Sequence, residues 1–291
     1  MAALITDAFI KQYQDTFELA LQQGDSRLSP YVKTRTGLKG EGIQPARYIE
    51  PFDFAERTAR LAATTYTEVD VTTRWVAPRK WETSKHIDRT DPLMVGGAIV
   101  PEVTQAIRRA AFRLKDDIII AALGGDAKTG KDGTTTTPLP ASQVVDTNVG
   151  GSGTGMNKAK ILAALELLEE NDVDDDEQIV FVVGPRQHSD LRKLAELMDS
   201  KSKVSAEVRD GRVVSVLGAR VIRTNRLPKT GAVRDCFMFV SSRVFLGIWD
   251  ELFTRVTEDP NKSFAILMYA EAIAEATRLD EKAVVKIQAT E

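Results

Sequence analysis

Apolar positions repeat at helical spacing over several stretches of the chain. The longest runs from Ile99 to Gly124, where Pro101 suits the first helical turn and Gly124-Gly125 ends the pattern. Its apolar face comprises Val103, Ile107, Ala110, Leu114, Ile118 and Ala121. Its opposite face carries Arg108, Arg109, Arg113, Lys115 and Asp116. Shorter helices are predicted for residues 4–21, for residues 157–170 and from Pro185 onward.

Other stretches alternate between two faces, as strands do. Residues 65–76 alternate and are rich in β-branched side chains, so we predict a strand that pairs as a hairpin with the stretch after Pro78. The apolar run IVFVV, residues 179–183, predicts a buried strand, and Asp210-Gly211 predicts a second hairpin. Further strands are expected at ARVIRT, CFMFVS, VFLGIW, LFTRVT and AVVKIQ. Residues 264–277 are ambiguous, because their alanines favour a helix. The pattern as a whole predicts a mixed α+β fold.

Two regions lack the periodicity that a core requires. Residues 22–47 are interrupted by glycines and prolines and read as an extended arm, in which five bases and one acid between Arg27 and Arg47 give a charge of +4. Neither this arm nor a two-stranded hairpin buries enough surface to order alone. The sequence therefore predicts that something outside the chain packs on them. Residues 126–155, rich in Gly, Thr, Pro and Ser, predict a long mobile loop.

Composition excludes several kinds of partner. The 291 residues carry a formal net charge of −3, so no global positive field attracts nucleic acid or an anionic membrane. Cys236 is the only cysteine, and His86 and His188 are the only histidines, which argues against disulfides and against a Cys/His metal site. No apolar run reaches the roughly 18 residues of a membrane span, and no signal peptide is evident. We therefore expect a chain of a reducing, cytosolic compartment without membrane contact.

Two glycine-rich motifs approach nucleotide-binding patterns and miss them. GDAKTGKD, residues 125–132, resembles a P-loop, but it follows a helix, and Asp132 replaces the hydroxyl residue that binds magnesium. GGSGTGM, residues 150–156, has Met156 where the dinucleotide fingerprint needs its third glycine. We interpret the first as a solvent loop and the second as a lead-in to a helix.

Two further motifs fail on geometry. DVDDDE, residues 172–177, lacks the glycine and the final glutamate of a calcium loop, so we interpret it as an acidic turn. His188-Ser189-Asp190 contains the residue types of a hydrolase triad, but neighbours on a helix diverge by about 100° and cannot form the relay. The sequence therefore predicts no catalytic, cofactor or metal site, and no enzyme.

Aromatic and basic side chains of the first third are the candidate contact residues. Trp75 and Trp81, on the predicted hairpin, are candidates to anchor a subunit interface, although packing onto the chain's own body is an equal alternative. Arg35 and Arg47, in the basic segment, are candidates to touch an acidic neighbour or packaged nucleic acid, against the alternative of a solvated arm.

The order of elements resembles a known family. This order resembles that of the major capsid protein of tailed bacteriophages, whose Hong-Kong-97-like shell fold is shared with encapsulins. It runs from an arm and a hairpin through a long helix, a loop, a helix–strand–helix unit and an Asp-Gly hairpin to the terminal strands. Two segments carry this best: DGRVVSVLGARVIRTNRLP, residues 210–228, and FTRVTEDPNKSFAILMYAEAIAEATRLDEKAVVKIQA, residues 253–289, where Arg278 and Asp280 precede the last strand. The resemblance favours a strand for the ambiguous stretch.

The resemblance implies a division into domains. It comprises an N-terminal arm at 1–46, an E-loop hairpin at 47–90, a peripheral domain with a long spine helix at 91–139 and 250–291, and an axial domain at 140–249 that shares the closing strand. Arm and E-loop are expected to lie across neighbouring subunits.

The implied function is structural. Copies of the chain, as hexamers and pentamers, would form the icosahedral head that encloses the double-stranded DNA of a tailed phage. The alternative is the shell of an encapsulin-like nanocompartment. Implied partners are a separate scaffolding protein, a portal, a decoration protein and packaged DNA in weak non-specific contact. The expected location is the virion, assembled in the host bacterial cytoplasm, with no cofactor.

Overall fold

The fold was analysed in a computed structural model that describes residues 22–49, 54, 71–88, 99–171, 173, 176–199, 206–209 and 212–291. Three helices occur in these ranges: α1 (Ile99–Gly124), α2 (Lys158–Glu169) and α3 (Pro185–Asp199). All three confirm the helical periodicity of the sequence. The helix predicted for residues 4–21 lies outside the described residues. Within the described ranges, no helix is long and apolar enough to cross a membrane.

The strands of the described residues form three sheets. In chain order they are β1 (Lys33–Arg35), β2 (Ile43–Ile49), β3 (Val71–Val76), β4 (Lys80–Ile87), β5 (Ala127–Thr129), β6 (Thr135–Thr137), β7 (Val144–Val145), β8 (Ile179–Val183), β9 (Ala206–Arg209), β10 (Arg212–Val216), β11 (Ala219–Arg223), β12 (Lys229–Thr230), β13 (Val233–Val240), β14 (Val244–Asp259), β15 (Ala265–Arg278) and β16 (Val284–Thr290).

The largest sheet has eight strands, in the order β7-β16-β13-β8-β11-β10-β9, with β12 paired to β13. Its centre is the predicted apolar strand β8, in which Val180, Phe181, Val182 and Val183 are fully buried. Helix α2 packs near β16, and α3 packs near β10. Strands β9 and β10 pair antiparallel, which confirms the predicted Asp-Gly hairpin.

A second sheet, in the order β1-β14-β15-β4, is built on two long antiparallel strands. The ambiguous alanine-rich stretch is strand β15, and its residues alternate in burial. Helix propensity does not prevail, because β15 bonds to β14 on one side and to β4 on the other, while its small side chains let α1 approach. The two strands predicted at VFLGIW and LFTRVT are one strand, β14, with irregularities around Asp250.

The third sheet, in the order β2-β3-β5-β6, corrects two predictions. Strand β3 does not pair with the stretch after Pro78; it pairs antiparallel with β2, from Ile43 opposite Val76 to Ile49 opposite Val71. The stretch after Pro78 is β4, which joins the second sheet instead. The predicted mobile loop after α1 contains the hairpin β5–β6, because β5 finds a partner in β3 that local sequence cannot reveal.

The arm also differs from its prediction. Residues 22–35 pack on their own chain: Leu28 is fully buried in the main core, and β1 pairs in parallel with β14. Their anchor is Asp116, which we placed on the exposed face of α1 and which is fully buried. Its carboxylate accepts hydrogen bonds from the backbone N–H groups of Arg27 and Leu28, each at 3.0 Å to Oδ1. Ala121, predicted on the apolar face, is exposed.

Candidate functional site: surfaces for subunit contact

Trp75 forms the wall of an open groove of about 640 Å³. It is half-buried on β3, and its indole Nε1–H donates to the carbonyl oxygen of Gly130 at 2.7 Å. Gly133 lies so close that a β-carbon there would be 2.8 Å from the Trp75 ring. Arg35, at the end of β1, lines the same groove. The structure therefore brings together two of the four predicted contact residues.

The other two candidates lie elsewhere. Trp81, on β4, packs against the main core and donates from Nε1 to the carbonyl oxygen of Ala274 at 3.3 Å, with the Arg79 guanidinium 5.7 Å from its ring centre. These contacts favour packing onto the chain's own body. Arg47 is on β2, opposite Thr73 of β3. It belongs to the same sheet as Trp75.

Exposed apolar side chains mark the ends of two hairpins, and we did not predict them as contact residues. On the β2–β3 hairpin, Ile49 and Val71 are paired and exposed, and Phe54, beyond the end of β2, is 99% exposed. At the far end of the β14–β15 hairpin, the exposed apolar residues are Phe253, Val256 and Phe264. Alternation alone could not reveal them, because a face of a strand pair is exposed only when no third layer covers it.

The P-loop-like octet is part of a hairpin. Ala127–Thr129 is strand β5, and the turn at Gly130 and Gly133 has positive φ angles of 86° and 67°. No helix N-terminus follows it, so no row of amides converges on a phosphate. The glycines serve the turn beneath Trp75.

The second glycine motif is a rigid entry to α2. Asn157 caps the helix by accepting from the backbone N–H of Lys160 at 2.9 Å. The Lys160 ammonium is fully buried and donates to the carbonyl oxygens of Thr154, at 2.6 Å, and Gln288, at 2.9 Å. Burial lowers the pKa of Lys160. This lysine joins α2 to the preceding loop and to β16.

The remaining chemical candidates form no site among the described residues. Burial, reinforced by the nearby Arg223, lowers the pKa of His188, whose ring bonds to the backbone of Val213 rather than forming a relay with its neighbours. Asp172, Asp174 and Asp175 of the acidic turn lie outside the described residues. In the described ranges, no cluster of His, Cys, Asp or Glu could hold a metal ion. Burial raises the pKa of the Cys236 thiol to about 12.

A buried charged cluster ties the base of the β2–β3 hairpin to α1. Arg278, at the end of β15, is fully buried, and its Nη1 donates to the carbonyl oxygens of Ala122 at 2.8 Å and Leu123 at 3.1 Å. Beside it, Arg74 of β3 forms an ion pair with Glu281. Burial lowers the pKa of Arg278 and raises that of Glu281. Arg74 Nε, Arg278 Nε and Glu281 Oε1 have no hydrogen-bond partner among the described residues, so the cluster is only partly satisfied.

The chain matches a known protein family and several solved structures. The model of a family described as phage capsid protein matches residues 5–291. The fold is similar to the capsid structure of cyanophage P-SCSP1u, at 14% identity over 98% of this chain and 94% of that chain, with a TM-score of 0.72. It is also similar to the capsid of cyanophage Pam1, at 14% identity over 96% of each chain, with a TM-score of 0.70. A structure from Mycobacterium phage Che8 shares 18% identity over 95% of this chain and 96% of that one, with a TM-score of 0.67. Among curated proteins, none matches the sequence significantly.

Three sheets and one long helix form the architecture that these phage capsid structures share, the Hong-Kong-97-like fold. The chain belongs to the phage capsid protein family. It is accordingly a phage capsid protein, a structural protein of the virion.

Proposed function

We propose that copies of this chain, arranged as hexamers and pentamers, close into the icosahedral head that holds a double-stranded DNA genome. The observation that carries this proposal is the exposed apolar surface at the ends of two separate hairpins. A chain that binds neighbours at two distant places can propagate contacts in two directions, which a closed shell requires.

Backbone geometry adds to the case at one of these ends. Ser263 and Phe264 have φ angles of 52° and 57°, in the left-handed region that bulky residues seldom adopt. The turn thereby presents the exposed aromatic ring of Phe264 beyond the end of β14. Strain of this kind is concentrated at sites of interaction, and we propose that it positions Phe264 for a neighbouring subunit.

The domain division that we propose is the one that the family resemblance implies: arm 1–46, E-loop 47–90, peripheral domain 91–139 and 250–291, and axial domain 140–249. Sheet membership supports it. The second sheet contains β14 and β15, which meet α1, whereas the eight-stranded sheet takes its strands from residues 144–240 and from the closing strand β16. The closing segment would then connect the two domains.

The proposed partners follow from the same function. A head of this kind requires a portal for DNA entry and a scaffolding protein that guides closure, and a decoration protein would bind its outer surface. Packaged DNA would touch the inner surface weakly, because the chain carries a net charge of −3. Assembly would take place in the cytoplasm of the host bacterium, in keeping with a single, buried cysteine.

Electron microscopy of the purified chain tests the proposal. We expect closed shells from the unaltered chain and unassembled subunits from the double variant Ile49→Ser, Phe54→Ser. Before assembly, subunits of the unaltered chain and of the double variant should unfold at the same thermal midpoint, which shows that the variant still folds. The matched control is Leu162→Ser, which removes an exposed apolar side chain on α2 outside both hairpins. A uniform population of monomers from the unaltered chain, with scaffolding protein supplied, would contradict the proposal. Particles from infected cells should contain DNA, whereas enzyme cargo would favour the nanocompartment.

A further inference from the structure

Four arginines meet at one end of the eight-stranded sheet. Arg212 begins β10 and Arg223 ends β11, and because these strands pair antiparallel, both residues lie at the same end. Arg192 is on α3, which packs near β10. Arg27, in the arm, donates from Nη1 to the carbonyl oxygen of Arg223 at 2.5 Å. All four side chains are exposed, and together they form a basic patch.

The buried ring of His188 lies behind the patch and fixes α3 against the sheet. It is four residues before Arg192, one helical turn, and it bonds to the backbone of Val213, the residue after Arg212. Burial, followed by the charges of Arg223, Arg192 and Arg212, lowers the pKa of His188. Three guanidinium groups from three different elements therefore lie near a single ring.

The positive charge of the patch is not balanced within the part of the chain that the structure describes. None of the four arginines forms an ion pair with a described acid. Two acids on the neighbouring helices have basic partners of their own, Asp190 with Lys193 and Asp117 with Arg226. Asp25, in the arm, is exposed and offsets only part of the charge. Like charges held together repel one another, so an anion from outside the chain stabilises this arrangement.

The chemistry of the patch suits phosphate groups better than another protein. A protein interface encloses an apolar centre, and in the described ranges no exposed large apolar side chain belongs to α3, β10 or β11. Arginine binds phosphate through a planar pair of donors, and a nucleic-acid backbone presents phosphates in a row. Several arginines of one patch can therefore bind one duplex at the same time.

We propose that the basic patch binds the phosphate backbone of the packaged DNA duplex. Each subunit contributes one patch of four arginines, and these contacts do not depend on base sequence. They let the duplex slide along the shell as it is packed, because electrostatic contacts of this kind exchange readily. This proposal rests on the proposed function and adds to it the surface that faces the genome.

Binding of a labelled duplex to unassembled subunits, measured over a range of salt concentrations, tests the patch. For four phosphate contacts we expect log K to fall against log salt with a slope of about −3.6. The double variant Arg212→Gln, Arg223→Gln should reduce the slope to about −1.8 and weaken binding roughly tenfold or more at about 50 mM salt, equally for two unrelated sequences. The matched control is Arg108→Gln, Arg255→Gln, which removes two exposed arginines of α1 and β14 and should leave binding unchanged.

A charge-preserving variant separates electrostatics from folding. Arg212→Lys, Arg223→Lys should keep most of the slope, because a lysine also neutralises a phosphate. If the glutamine variant does not fold, Arg192→Gln alone decides, and it should reduce the slope by about 0.9. Equal losses of affinity in the glutamine variant and its matched control would overturn the proposal.

Two further results would overturn it. Polyglutamate that displaces the duplex at an equal concentration of charge would assign the patch to an acidic peptide instead. Cryomicroscopy of filled shells should show DNA against the patch, and a patch on the outer surface would contradict this inference alone. The absence of shells from the unaltered chain would instead overturn the proposed function.

Discussion

Arg278 joins the end of β15 to the last turn of α1. A fully buried guanidinium is costly unless its donors are satisfied. Here Nη1 donates to the carbonyl groups of Ala122 and Leu123 in the last turn of α1 and to that of Gly125, the residue after the helix. Nη2 donates to the carbonyl oxygen of Thr137 at 3.3 Å, whereas Nε has no hydrogen-bond partner among the described residues. The negative end of the helix dipole lies at the same place, so the charge of Arg278 also stabilises the helix terminus.

Replacing this side chain should destabilise the subunit. We expect Arg278→Met to lower the free energy of unfolding by about 3 kcal/mol, because the carbonyl groups of the last turn lose charged donors. Arg278→Lys should recover only part of the loss, since an ammonium cannot reproduce the planar fork. Urea unfolding of the unassembled chain measures both. Losses below about 0.5 kcal/mol in both variants would show that water replaces the guanidinium.

Glu291 provides a pH-dependent contribution to stability. Hydrogen bonds from Arg234 and then Lys229 lower the pKa of its side-chain carboxyl to about 2. A group whose pKa is lower in the folded state stabilises the fold above its ordinary value of 4.5, and this stabilisation is lost as the pH falls toward 2.

The matching experiment compares the unaltered chain with Glu291→Gln. We expect the unaltered chain to melt at the higher temperature at pH 7, and the difference between the two to shrink progressively below pH 4.5. Calorimetry from pH 7 to pH 3 follows this difference. A gap that stays constant over the whole range would mean that the carboxylate is not the stabilising species.

At the scale of elements, the β5–β6 hairpin supports one wall of the groove. Gly133 is suited to this hairpin for two reasons. Its φ of 67° lies in the region that favours glycine, and the absence of a side chain leaves room for the Trp75 ring. The glycine content of this stretch indicated a turn, but it could not indicate the ring above it. The contact partner is distant in sequence.

Gly133→Ala should therefore cost more than an ordinary turn substitution. We expect the free energy of unfolding to fall by about 1–2 kcal/mol more than in Gly218→Ala. Gly218 also has a positive φ, of 82°, but no atom within 4 Å of a β-carbon placed there, so the comparison isolates the clash with Trp75. Urea unfolding followed by tryptophan fluorescence measures the difference. Equal losses in the two variants would show that Trp75 moves aside without cost.

The β14–β15–β4 strands show where propensity and pairing disagree. The alanines of β15 favour a helix when taken alone, yet Ala270, Ala272, Ala274 and Ala276 alternate toward the buried side of the sheet. A pattern of period two was present in the sequence and was masked by the small size of these residues. Hydrogen bonds to strands on both sides outweigh a propensity difference of less than 1 kcal/mol per residue.

At the scale of the whole molecule, net charge determines how strongly the chain attracts DNA. The net charge of −3 gives the chain no general attraction for phosphates. We expect the unassembled chain to retain duplex DNA weakly at about 50 mM salt and to release it by about 200 mM, because few phosphates are neutralised. A filter-binding titration at both salt concentrations measures this. Tight binding that resists salt would indicate a dedicated DNA site.

The arm also belongs to this scale. The sequence predicts that residues 22–47 need a partner outside the chain, and the described part finds its partner within it, on Asp116 and on β14. From the sequence, Asp116 is predicted to be exposed, because it lies among charged residues on one face of α1. Only the approach of the arm buries it. The candidate residues Trp75 and Arg35 lie on strands of different sheets, β3 and β1, so only the tertiary packing brings them to one groove.

By itself, the sequence determined the elements whose causes are local. Helix α1, the buried strand β8 and the β9–β10 hairpin follow from periodicity and turn chemistry within a few residues. The tertiary structure alone decided which strands pair, which charges are buried and which apolar residues have no cover. Those outcomes depend on contacts between distant segments, such as β3 with β2 and β4 with β15. Each such contact is selected by the energy of the whole packed molecule, which no short stretch of chain contains.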